Sequence, residues 1–375
     1  MTPRFLHSRC AALALALAAL WTVPVAHAQS LPDSVVQSLV LSDADAAQVT
    51  RFVDQNSTKL GSKDPEAIRK DRSALLAPLS DSQVSTSFRQ QYSRVLLPKL
   101  EPLAADADEI TVINALVIAG DLGTDAAADL VLTKIGAPSA AIRYQASYAI
   151  HRLFGTLTGT GRALKPAKAQ ALVAAIEPAL SKEADPLVIG GLVRAGLAAA
   201  LVEELRSDAV SAVANGTSKV LQAQRTAAPD QLATAFLHAG SGLTEVLANP
   251  AAPIKADATR AAAGLGGDMI AYVSRAVTGK ALPLKAANAK PRAGDVTPRE
   301  LHAQVALSGE TLVLLSGKTL NAGFDAPNRK SGEKLRGGTT SGDAEFLVEV
   351  GTVIGSSGIL VGEPFSLPAA RFVVK

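Results

Sequence analysis

Apolar residues recur along almost the whole chain at helical spacing, in stretches of roughly 11–17 residues separated by breaks marked with Gly or Pro. Ser42 is placed to cap a helix reaching about Lys59, with Val49, Phe52, Val53 and Leu60 on its apolar side. Asp64-Pro65-Glu66 opens the next, because Asp suits the cap and Pro the first turn, and Leu75, Leu76 and Leu79 close it. A third is expected from Asp81 to about Leu103, with Phe88, Tyr92, Leu96 and Leu100 at steps of four. Shorter segments follow. One runs from Glu109 to a stop at Gly120-Asp121. One is capped by Thr124 and runs to Ile135. One is capped by Ser139 and runs to Phe154. Further helical stretches are read at 166–180, 186–201, within 203–222, at 230–247, 253–265 and about 268–277.

Composition agrees with this pattern. Aromatic residues make up only 4% of a chain that is 48% hydrophobic, so the apolar content is carried by Ala, Leu and Val. Alanine is the strongest helix former. The expected fold is all-α, an irregular solenoid of antiparallel helix pairs. A globular helical bundle is the rival.

Three helix starts look alike. Pro138-Ser-Ala-Ala-Ile-Arg143-Tyr-Gln-Ala146, Asp185-Pro186-Leu-Val-Ile-Gly-Gly-Leu-Val-Arg194 and Pro253-Ile254-Lys-Ala-Asp-Ala-Thr-Arg260-Ala261 each place a proline, aliphatic residues, a basic residue and small apolar residues in order. This resembles the second, inner helix of HEAT-like and armadillo-type repeats. The resemblance covers about 81–280 and implies architecture only, a stack of helix pairs. Residues 29–80 then form an N-terminal helical segment and 281–297 a Lys/Ala/Pro linker. Residues 298–375 form a C-terminal extension. Thr297-Pro298-Arg299-Glu300 is a capped start, 317–342 reads as loop, and 343–354 fits a helix or a strand, with helix preferred because the rest is helical.

The first 28 residues have a different character. Arg4 and Arg9 precede an unbroken apolar run, Ala11 to Trp21, followed by Ala26-His27-Ala28. This is the pattern of a secretory signal cleaved after Ala28, and the run is too short for a membrane-spanning helix. The expected location is the periplasm or the medium. Cys10, the single cysteine, falls before the apolar run, so the mature chain has no thiol for a disulfide or a metal. Removing two arginines and no acid from 37 basic and 34 acidic residues leaves a near-neutral chain. Nucleic-acid binding calls for a basic excess that is not there. No later segment has the length and apolarity of a membrane span.

Catalytic signatures are absent. His151, His238 and His302, the histidines beyond residue 28, have no His, Asp or Glu at metal-ligand spacing. Gly317-Lys318-Thr319 lacks the leading glycine of a phosphate loop, where Leu312 stands. Gly159-Thr160-Gly161 lacks the third glycine and preceding strand of a dinucleotide site. Ser331-Gly-Glu-Lys334 matches Ser-x-x-Lys without its companion motifs. No cofactor is expected. The acid pairs Asp106/Asp108 and Glu203/Glu204 remain nominees for a dispersed hydrolytic site.

One surface stands out. On the helix after Ser139, Ile142, Ala146, Ala149 and Leu153 share an apolar stripe, and Tyr144, Tyr148, His151 and Arg152 lie opposite. Aromatics and Arg are enriched where proteins bind one another. Packing against the next helix pair would also account for the tyrosines. Arg194 and Arg260 either extend the basic row or are solvated. The functional expectation is an exported, non-enzymatic scaffold with a protein partner. The alternatives are an exported cell-wall or glycan hydrolase and a structural envelope component.

Overall fold

A computed structural model describes residues 30–159, 161–223, 230–249, 253–284, 296–328 and 330–373. The expected signal (1–28), most of the expected linker, and Thr160 of the Gly159–Gly161 motif lie outside the described residues. Fifteen helices follow in order: α1 (Asp33–Val36), α2 (Asp43–Asn56), α3 (Pro65–Leu76), α4 (Thr86–Ala104), α5 (Glu109–Leu122), α6 (Asp125–Leu132), α7 (Ala140–Gly155), α8 (Pro166–Lys182), α9 (Pro186–Ala200), α10 (Arg206–Ala223), α11 (Asp230–Ala248), α12 (Ala256–Thr278), α13 (Pro298–Leu320), α14 (Ser331–Arg336) and α15 (Thr340–Ile354). Among the described residues there is no strand, only an isolated bridge between Thr124 and Ala163. No single helix among them is long and apolar enough to cross a membrane.

The starts follow from local chemistry. Ser42 and Asp45 form a reciprocal capping box on α2. Ser85, Asp108, Thr124, Ser139, Thr297 and Thr339 each accept a backbone N–H two or three residues into their helices. Asp185 accepts from both Leu187 and Val188, with Pro186 in the first turn.

From α2 to α11 each helix packs on the one two places further along, and beyond that α13 packs on α12 and α14, and α15 on α12 and α14. Helices α3, α5, α7, α9, α11 and α13 therefore form one layer, and α2, α4, α6, α8, α10, α12 and α15 the other. The buried apolar residues between the layers form one continuous core from Leu31 to Phe372. This is an irregular all-α solenoid.

Close helix contact replaces aromatic bulk. A Cβ on Gly120 would sit 2.8 Å from the Cα of Ala149, so α5 and α7 touch almost backbone to backbone. Gly120 is thus inside α5, not a stop, and the helix runs on to Leu122, where Gly123 takes the left-handed conformation at φ 68°. Likewise, the expected break between 253–265 and 268–277 does not exist. The helix α12 passes straight through Gly264, Gly266 and Gly267. A Cβ on Gly266 would lie 2.5 Å from the Gly309 carbonyl oxygen, and one on Gly309 would lie 2.6 Å from that of Gly266. These glycines permit the α12–α13 crossing rather than ending a helix.

Other boundaries also shift. The helix expected from Asp81 starts at Thr86, because Ser85 caps it while Asp81 accepts hydrogen bonds from Gln37 and from the backbone N–H of Gln83. The 317–342 stretch is not all loop, since α13 continues to Leu320 and α14 lies within it. The 343–354 segment is helical, within α15. The Pro253-led helix, α12, stands in the layer opposite α7 and α9, so its likeness to their starts is not an equivalence of position.

Beyond α11 the chain closes the stack with buried charge. Arg299, 5% exposed, donates to the carbonyls of Leu282 and Pro283 and to the Asp343 carboxylate at 2.5 Å. Glu310, also buried, accepts the backbone N–H groups of Lys330 and Ser331 and caps α14 from outside. The Ser331 hydroxyl donates to the same carboxylate, so Ser331 of the Ser-x-x-Lys match has a structural role. Arg371 in the tail donates to Asp268 at 2.7 Å and to Ser218 at 3.0 Å, while Gln222 also donates to Asp268.

Candidate functional site

The exposed side of the odd-numbered layer carries what the sequence singled out, in an altered arrangement. Tyr144, Tyr148, His151 and Arg152 all lie on α7. Tyr144 is half-buried and lies along Gly191 of α9. Tyr148 is 45% exposed, and its ring stacks on His151 with centroids 6.0 Å apart. Arg152 is bound to Asp121 of α5, with Nε donating at 2.8 Å. The backbone carbonyl of that aspartate, together with that of Leu122, accepts from the buried Arg89. Burial pushes the Arg89 guanidinium below its ordinary range, and the neighbouring Arg152 adds to this while Asp121 opposes it. Arg89 and Arg152 thus hold the C-terminal end of α5, where carbonyls gather negative charge. Of the four nominated residues, Tyr148 faces solvent, while His151 is half-buried and reaches the next helix.

His151 leads to a second cluster. Its Nδ1 lies 3.4 Å from the carbonyl oxygen of Arg194 on α9. Arg194 is exposed and holds its Nε against its own helix, donating to the Gly190 carbonyl at 3.2 Å. Among the described residues no carboxylate pairs with it. His238 of α11 stands across the helix boundary. Its pKa is lowered, first by burial and then by the positive charge of Arg194, with Glu245 acting the other way. Burial and Arg194 thus favour the neutral form of the His238 imidazole.

Between α9 and α11 runs a groove of two connected lobes that share Arg194 and His238. The first, about 350 Å³, is lined by Pro186, Leu187, Gly190 and Ala235 as well. The second, about 570 Å³, extends past Leu197 and Leu201 to Glu245 and Asn249 and reaches His151. Gly190 explains the depression, because a Cβ there would meet nothing within 4 Å. Its neighbour Gly191 faces the opposite way, into Ser147 of α7. The Gly190-Gly191 pair thus seats α9 on α7 with one residue and opens the groove with the other.

The nominated acid pairs go elsewhere. Asp106 accepts from the backbone of Asp108, and Asp108 caps α5, with hydrogen bonds from Thr111 holding its carboxyl below the ordinary range. Glu203 and Glu204 are exposed in a short turn before α10. Arg260 does not extend the row: it lies in the other layer and pairs with Asp257. Gly317-Lys318-Thr319 forms the last turn of α13, with Gly317 against the Phe324 ring. Among the described residues no group of three or more His, Cys, Asp or Glu is placed to hold a metal ion.

What single-helix reasoning missed is the meeting of His151, Arg194 and His238. They stand on three alternate helices, one helix pair apart, and only the stacking rule brings them together.

No protein-family model matches the chain, and no curated protein matches it. Among solved structures, an engineered protein, Northeast Structural Genomics Consortium target OR497, aligns with 90% of this chain and 92% of its own at 14% identity, with a TM-score of 0.30. That likeness carries no argument.

Proposed function

We propose that this chain is an exported, non-enzymatic interaction scaffold of the HEAT-like kind, which holds a partner protein on the exposed face of α7, α9 and α11. The observation that carries the reading is a difference between the two layers. On the even-numbered layer, surface charges are matched from one helix to the next: Lys99 with Asp54, Lys168 with Asp129, and Lys219 with Glu177. On the odd-numbered layer Arg152 is matched by Asp121, but Arg194, one helix further on, is left without an ion-pair partner among the described residues, near exposed Leu187, Leu201 and Tyr148. Apolar and aromatic side chains next to an uncompensated arginine are the composition of a binding hot spot. Stacked helical arrays use such long faces to bind other proteins. Export rests on the Arg4-to-Ala28 pattern.

The test is site-specific photo-crosslinking in cells, with the crosslinker at Leu187 in one variant and at Lys219 in another. The expected result is one discrete crosslinked species from Leu187 and none from Lys219. Equal labelling from both faces, or none from either, would overturn the reading. N-terminal sequencing of the cell-envelope fraction tests export, with Gln29 expected as the first residue.

A further inference from the structure

The groove between α9 and α11 offers one polar fixture and one apolar seat side by side. Arg194 supplies the fixture. Its Nε is occupied by the Gly190 carbonyl, which orients the guanidinium, and no carboxylate among the described residues neutralises it. Leu187, Gly190 and Ala235 supply the seat, and the open space at Gly190 sets its depth. His238 joins the two. Glu245 lies in the longer lobe and repels an anion there. A ligand charged along its whole length, such as a polyphosphate or a nucleic acid, is disfavoured by that carboxylate. A chain that alternates acidic and apolar groups suits both lobes.

We propose that this groove binds an extended acidic segment of a partner protein, with an aliphatic side chain seated among Leu187, Gly190 and Ala235 and a carboxylate on Arg194. This rests on the scaffold reading and narrows it to a partner chemistry. Charge complementarity selects the occupant: an exposed arginine forms paired hydrogen bonds to a carboxylate more readily than to any neutral group.

The experiment is selection of a random peptide library displayed on phage against residues 29–375, followed by fluorescence anisotropy with the winning peptides. Selected sequences are expected to carry Asp or Glu next to Leu, Ile or Val. Arg194→Glu is expected to weaken their binding at least about tenfold, as loss of a charged hot spot does. Gly190→Leu, whose Cβ has no atom within 4 Å and whose side chain fills the seat, is expected to block them as well while leaving the helical circular dichroism unchanged. Peptides without acidic residues, or acidic peptides that bind both variants as tightly as the parent, would sink the groove assignment and leave the scaffold reading standing. Equal competition by free glutamate or inorganic phosphate would show a small-anion site and overturn the peptide proposal. Tight acidic peptides with no crosslinked protein in cells would retain the groove and reject the scaffold.

Discussion

The repeat body, α4 to α11, and the closing end, α12 to the tail, are held together by different physics. In the body, apolar helices touch through small residues, most ion pairs between helices lie at the surface, and the buried Arg89 and Arg206 donate to backbone carbonyls. At the end, charges are buried: Arg299 with Asp343, Glu310 on the start of α14, and Asp268 with Arg371. The reason is geometric. A helix pair inside the stack is covered on both sides by near copies of itself. The last pair has no further copy, so irregular chain must cover it. Irregular chain exposes backbone groups that need partners, and buried side-chain ions supply them.

That contrast can be broken from the closing end first. Asp268 is 2% exposed, whereas Arg371 can turn toward water. Arg371→Ala leaves a carboxylate buried without its ion pair and should cost about 3 kcal/mol in urea unfolding at pH 8. Burial holds the Asp268 carboxyl above its ordinary range, opposed chiefly by Arg371. Without Arg371 the folded state keeps a proton that the unfolded chain has released. Stability of the variant must then fall as pH rises from the carboxylate range, and the loss should be smaller at pH 5 than at pH 8. Hydrogen exchange should quicken in α10, α12 and the tail and stay unchanged in α4 to α7. A loss spread evenly over the chain would contradict the division into two regions.

Glycine gives the next contrast. Gly266→Ala places a Cβ against the Gly309 carbonyl and is expected to cost about 2 kcal/mol by overpacking the α12–α13 crossing. Gly190→Ala, in the body, meets nothing and should stabilise by about 0.5 kcal/mol through helix propensity. Thermal melts of the two variants should move in opposite directions.

Smaller effects belong to the body. Asp185→Ala removes a cap that holds two N–H groups of α9 and should cost about 1 kcal/mol. Lys168→Ala removes a half-exposed pair with Asp129 and should change stability by less than about 0.5 kcal/mol. A larger loss would mean that the surface pairs, not the small-residue contacts, hold the repeats in register. The smallest signal is spectroscopic. Arg194→Ala should raise the pKa of His238 and Glu245→Gln should lower it, read by NMR titration of the imidazole. No movement in either variant would separate His238 from the charges of its groove.

Much of the fold was legible in residue order alone. Caps and first-turn prolines act within four residues of themselves, so Ser42, Asp64, Thr124, Ser139, Pro186 and Thr297 announced their helices correctly. The period of apolar residues announced an all-α stack. Errors fell where one residue type serves two purposes. Gly120 and Gly266 look like helix stops, yet each lies where another helix presses close, and Gly267 lies against Leu360 and Phe372 of the tail. The candidate site was legible only in part. His151 and Tyr148 were visible on the polar side of α7, but Arg152 was claimed by Asp121 and Tyr144 by the contact with α9.

Local order therefore determined which segments are helical and which face of each is apolar, because those depend on neighbours a few residues away. The tertiary structure decided which helices share a layer. That choice set the direction in which Gly190 and Gly191 each point, and it placed Arg194 and His238 on one groove. Contacts between alternate helices join residues a whole helix pair apart, and no local rule of spacing or capping reaches that far.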